Sequence, residues 1–93
     1  MKSEMEKLID LLTVANIPFE ICHHWINGST QIFYPNRKEV ICDVICFIGS
    51  YGGEEGLLET MGLSDNEDDE VEGWQDCCDV FSKIYHDYYK KEP

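Results

Sequence analysis

From Glu39 to Ser82 the chain runs 44 residues without a single lysine or arginine, and that stretch holds 13 of its 19 carboxylates. The flanks carry the other 6 acids and all 7 bases, so the formal net charge of −12 is regional. Where the acids are densest, from Ser64 to Glu72, no core-facing pattern survives, and the fold has to be built from the segments on either side. A one-signed region of this kind repels nucleic acid and anionic membrane and favours basic grooves on other proteins.

Ninety-three residues support one core, so a single domain is expected over 1–93, with an acidic loop at 64–72 whose composition favours flexibility. A hydrophobic fraction of 43% with 12% aromatics is ample for that core. The five cysteines are odd in number and lack Cys-x-x-Cys spacing, which argues against both a disulfide framework and a four-thiolate zinc site. A reducing cytoplasm is the expected setting. Met1-Lys2-Ser3-Glu4 leads directly into an amphipathic pattern, and no apolar run approaches the roughly 18 residues of a spanning helix.

Ser3 and Glu6 have the spacing of a capping box, and Met5, Leu8, Ile9, Leu12 and Ala15 recur on one helical face. Asn16 before Ile17-Pro18 offers a left-handed stop. Phe19 to Ile26 and Thr30 to Tyr34 read as strands joined by an Asn27-Gly28 turn, and Val40 to Ile48 reads as a third, buried strand after a turn at Pro35 to Lys38. Glu54 to Met61 is predicted as a short helix ended by Gly62. Asp76 and Asp79 have the spacing of an N-cap and its third helical residue, and Val80, Phe81, Ile84, Tyr85 and Tyr88 mark the buried stripe of a last helix. The expected class is α+β: a three-stranded antiparallel meander with helices on one face, in the order α-β-β-β-α-α.

The strongest functional signal is the acid set. Asp65, Glu67, Asp68, Asp69, Glu70 and Glu72 lie in the loop, with Glu54, Glu55 and Glu59 on the predicted helix before it. Spaced carboxylates of this kind can imitate a nucleic-acid backbone and occupy a basic cleft; the bland alternative is a solvated linker. Calcium fits poorly, because the sixth and twelfth positions counted from Asp65 are Glu70 and Asp76 where glycine and glutamate are required. The Gly49 to Gly56 run lacks the lysine of a phosphate loop and carries two glutamates that would repel an anion. Adjacent His23 and His24 point to opposite faces of a strand, and Cys77-Cys78 sits between aspartates that oppose a thiolate, so neither a metal nor a nucleophile is indicated. Two tyrosines are candidate exposed anchors: Tyr51 in the glycine loop and Tyr89 off the buried stripe. Trp25, Phe33 and Trp74 are assigned to the core.

Several segments together carry a resemblance. They are Ala15-Asn16-Ile17-Pro18-Phe19-Glu20, Gln31-Ile32-Phe33-Tyr34-Pro35-Asn36, Phe47-Ile48-Gly49-Ser50-Tyr51-Gly52, Glu55-Gly56-Leu57-Leu58-Glu59, Met61-Gly62-Leu63 and Asp79-Val80-Phe81. Through them the chain resembles small acidic proteins of Firmicutes phages and prophages. The resemblance implies a genomic context and transfers no catalytic residue; Cys77-Cys78 departs from the small or acidic residues usual there. The expectation is a non-enzymatic phage protein without cofactor that inhibits a bacterial defence effector, a CRISPR- or restriction-type nuclease, by nucleic-acid mimicry. The rival expectation is an accessory module of phage replication or assembly, docking through a sheet edge or the Gly49 to Gly53 loop.

Overall fold

The computed structural model of the chain describes residues 1–24, 29–47, 49–64 and 68–90. Helix α1 spans Glu4–Val14, strands β1 Glu20–His23, β2 Thr30–Pro35 and β3 Val40–Ile45 follow, a 3-10 turn occupies Gly53–Glu55, and β4 Leu58–Met61, β5 Val71–Gln75 and helix α2 Cys77–Lys90 complete the order. The class is α+β, but the sheet has five strands, in the order β1-β2-β3-β4-β5, and every pair is antiparallel. The expected three-stranded meander is its first part. Asn27-Gly28, Trp25 and Ile48 lie outside the described residues.

Local chemistry sets the helix ends as expected. The Ser3 hydroxyl accepts from Glu6 N–H at 3.1 Å while the Glu6 carboxylate accepts from Ser3 N–H, and Asn16 takes φ 58° just past the carboxyl end. Asp76 and Asp79 exchange equivalent bonds at the start of α2, at 2.8 and 3.2 Å. The two helices run parallel, since Cys77 N–H donates to Glu4 at one end and the Tyr89 hydroxyl donates to Ala15 O at the other.

One face of the sheet is buried beneath them. Ile32, Val44 and Thr60 form a cross-strand row, and Tyr34 pairs with Cys42; all are at most 2% exposed and pack with Leu8, Leu12, Val80 and Ile84. The predicted helix over Glu54 to Met61 is corrected to a single 3-10 turn and a strand. Gly52 and Gly56 bracket that turn with φ 90° and 77°, which ends helical geometry after three residues, and Leu58 and Thr60 then alternate inward as a strand requires. The run from Ser64 to Glu72 is likewise not all loop, because β5 begins at Val71.

Strand β5 is bulged. Leu58 pairs with Gln75 and Thr60 with Glu72, so three residues of β5 span two of β4. The extra residue brings Glu72 and Gln75 onto the helix side together, where Lys83 Nζ donates to both at 2.6 Å and Gln75 Nε2 donates to Thr60 at 2.8 Å. Among the described residues no buried side-chain nitrogen or oxygen lacks a partner. Tyr85 and Tyr88, expected on the buried stripe, are instead exposed; Cys77, Val80 and Ile84 are the buried residues of α2, with Phe81 packed against the core, and the two tyrosines each pack against Tyr89 outside it.

Gly62 turns out of β4 with φ 97°, and a Cβ there would stand 2.1 Å from Ile41 O, whereas one at Gly56 would meet nothing within 4 Å. Gly62→Ala is therefore expected to lower the unfolding free energy by about 3 kcal/mol and Gly56→Ala by about 1 kcal/mol, read from urea denaturation. Equal losses at the two positions would show that the Ile41 backbone gives way at no cost.

Candidate interaction surface

The bulge that turns Glu72 and Gln75 inward turns Trp74 outward. Trp74 has φ 54°, a left-handed conformation that costs a bulky residue roughly 1–2 kcal/mol, and it remains 59% exposed. The glycine loop lies directly on it. Trp74 N–H donates to Tyr51 O at 3.1 Å, and the two rings stack at 5.5 Å with an interplanar angle of 17°. Space for that approach exists because side chains are missing: a Cβ on Gly52 would be 2.8 Å from Trp74 backbone atoms, and one on Gly73 would be 2.2 Å from Tyr51 Cβ. Sequence reasoning assigned Trp74 to the core, and this placement corrects it. The signal was Gly73 beside it, a glycine inside a strand.

Acids rim this aromatic shelf. Glu59 accepts from Tyr51 N–H at 2.9 Å, fixing the loop to β4. Glu54 and Glu55 are exposed on the 3-10 turn, and their carboxylates make no hydrogen bond or ion pair among the described residues. With Tyr51 and Trp74 they line a concavity of about 350 Å³. Asp76 lies two residues beyond Trp74, its carboxylate occupied by the Asp79 amide.

The remaining predicted positions are elsewhere. Asp68, Asp69 and Glu70 are exposed in the β4–β5 connection, at the far end of the hairpin, roughly 15 Å away at the usual rise per strand residue. Asp69 accepts from Val71 N–H at 2.9 Å. Asp65 and Glu67 lie outside the described residues. Glu72 is paired with Lys83 and belongs to no one-signed surface. Tyr89 is exposed as expected, yet its hydroxyl is held by Ala15 O and its ring by Tyr85 and Tyr88, each at 4.9 Å. It stands at the last turn of α2, roughly 20 Å along the helix axis from Asp76, so Tyr51 and Tyr89 mark opposite ends of that helix.

The sheet face away from the helices carries a polar chain. His24 Nε2 bonds Gln31 Oε1 at 2.7 Å, and Gln31 Nε2 donates to Asp43 at 2.9 Å. His23 turns to Thr30 instead, so the two histidines diverge as expected from strand geometry. Among the described residues no three His, Cys, Asp or Glu side chains are placed to hold a metal ion, and no helix is long and apolar enough to cross a membrane. All five cysteines are free thiols. Burial pushes the Cys42 thiol up to about 12, and burial followed by the Glu4 carboxylate pushes Cys77 up to about 11. Tyr34 is raised as well, by burial and by its hydroxyl's 2.7 Å bond to Asp87. Comparison of the chain with protein-family models, with curated proteins and with solved structures returned no match to any of them.

These raised values have a stability consequence. Each group is neutral in the folded state at a pH where the unfolded chain already ionises, so its contribution is complete below pH 9 and is lost as pH rises through the folded values. The urea midpoint is expected to hold from pH 7 to about 8.5 and to fall progressively between pH 9 and 11. A midpoint unchanged at pH 11 would mean that Cys42 and Cys77 are solvated in the native protein.

Proposed function

We propose that this chain is a binding protein that inserts its acidic, aromatic end into the basic cleft of a bacterial defence effector, a CRISPR- or restriction-type nuclease, and blocks nucleic acid from entering. One observation carries this reading: Glu54 and Glu55, two carboxylates without a partner among the described residues, stand beside an exposed Tyr51–Trp74 stack in a protein of net charge −12. Capping and bridging carboxylates already have partners, whereas these two have none among the described residues and are available to a partner from outside. An amphipathic aromatic pair next to them is the composition of an interface anchor. The phage-like pattern supplies a setting in which a small stoichiometric inhibitor is useful. Asp68, Asp69 and Glu70 form a second acidic contact at the other end of the hairpin.

The rival reading, an accessory module of phage replication or assembly, is favoured by the same shelf, because the shelf stands in the Gly49 to Gly53 loop through which such docking was expected. Charge separates the two. In DNA cleavage by a panel of purified CRISPR and restriction nucleases, one enzyme is expected to be blocked at equimolar protein and to be released as salt rises from 50 to 500 mM, roughly the range over which screening collapses surface attraction. The double change Glu54→Gln, Glu55→Gln is expected to weaken that block about tenfold, and neutralising Asp68, Asp69 and Glu70 to weaken it less. Inhibition that survives both salt and neutralisation removes the electrostatic mechanism, and a panel left untouched favours the accessory module.

A further inference from the structure

We infer that the Tyr51–Trp74 shelf receives an arginine side chain of its partner and discriminates it from lysine. This deepens the proposed function and rests on its premise of a basic partner surface. A bare acidic surface would attract both cations alike, since each carries one positive charge. What this end adds is an indole in water. Trp74 stands outside the hydrophobic core, 59% exposed and with a left-handed backbone, against a loop that comes this close because positions 52 and 73 are glycine. The residue is 59% exposed even with Tyr51 stacked on it, and tryptophan is the strongest aromatic partner for a cation.

The geometry of the surroundings selects the planar cation. A guanidinium is flat and weakly hydrated, so it can lie against an indole while its N–H fork meets a carboxylate; an ammonium is compact and strongly hydrated and loses water without gaining a stacked face. Glu54 and Glu55 line the same concavity as Trp74, and neither is engaged by another described side chain. At about 350 Å³ the concavity sits at the lower end of the roughly 300–1,000 Å³ typical of small-molecule pockets, with room for one long side chain, and its two lining glutamates would repel a nucleotide's phosphate. The fold already contains a guanidinium on an aromatic ring: the Arg37 guanidinium lies over Phe33 at 5.5 Å from the centroid.

Hexa-arginine and hexa-lysine peptides, titrated calorimetrically into the full chain at one low salt concentration, test the inference. Wild type is expected to bind the arginine peptide about tenfold more tightly. Trp74→Asn removes the ring while keeping a residue that tolerates positive φ, and is expected to bring arginine binding down to the lysine level with lysine binding changed less than about twofold. The Glu54→Gln, Glu55→Gln protein should lose affinity for both peptides. Should Trp74→Asn fail to fold, the assigned Trp74 indole N–H resonance of wild type serves instead: it should shift with the arginine peptide and stay fixed with the lysine peptide. Equal binding of the two peptides, or an arginine preference that outlives the tryptophan, overturns the inference while leaving the charge blockade standing. Failure of both peptides to bind, together with an uninhibited nuclease panel, overturns both readings.

Discussion

Burial of a single sheet face under two parallel helices is the constraint from which the rest follows. Ile32, Tyr34, Cys42, Val44 and Leu58 have to be covered, and Leu8, Leu12, Val80 and Ile84 cover them from α1 and α2. Because the helices run side by side in the same direction, both amino ends emerge at the end of the sheet that carries the glycine loop. Parallel helix dipoles gather partial positive charge there, and acids answer it. The backbone N–H of Cys77, at the start of the second helix, holds Glu4 below the usual carboxylate range, and that of Ser3 does the same for Glu6. Part of the acidity at this end is therefore structural before it is available to any partner.

Elements whose signals are local were legible in the sequence. Ser3 with Glu6, Asn16, and Asp76 with Asp79 each mark a helix boundary through bonds made within a few residues, and the structure places them as read. The first three strands were legible for a similar reason, since their apolar runs are long. Strands β4 and β5 were not. Leu57, Leu58 and Met61 fit a helical face as well as Leu58 and Thr60 fit a strand, and only the left-handed Gly56 and the pairing with β3 decide between them. In β5 the acid run continues through Glu72, and the bulge sets Glu72 and Gln75 on one face against the strand's own period. What holds that arrangement is Lys83, eight and eleven residues further along the chain.

The candidate site was half legible on the same grounds. Tyr51 was singled out from its glycine loop and Glu54 and Glu55 as acids on an expected helix, and they meet in one concavity. Trp74 could not be added to them, because its outward turn depends on a φ angle set by the bulge and by the missing side chains of Gly52 and Gly73. Glu72 was assigned to the acidic surface when it belongs to a bridge between sheet and helix; no local pattern distinguishes an aspartate or glutamate that will meet a lysine across the fold from one that will not.

Net charge thus overstates what a partner encounters. Of the acids in the basic-free stretch, Glu72 is neutralised by Lys83, Asp76 and Asp79 cap α2, and Glu59 and Asp69 accept backbone amides. Among the described residues, the carboxylates left without a bond include Glu54 and Glu55 at one end of the β4–β5 hairpin and Glu70 in the connection at the other, roughly 15 Å apart by strand rise, with Glu39 away from both beside the β2–β3 turn. At about 0.1 M salt the screening length is about 10 Å, so the two groups act on a partner as separate contacts and not as one field. In the proposed reading each would meet its own cation, and the end that carries Tyr51 and Trp74 would offer that cation an aromatic face beside charge.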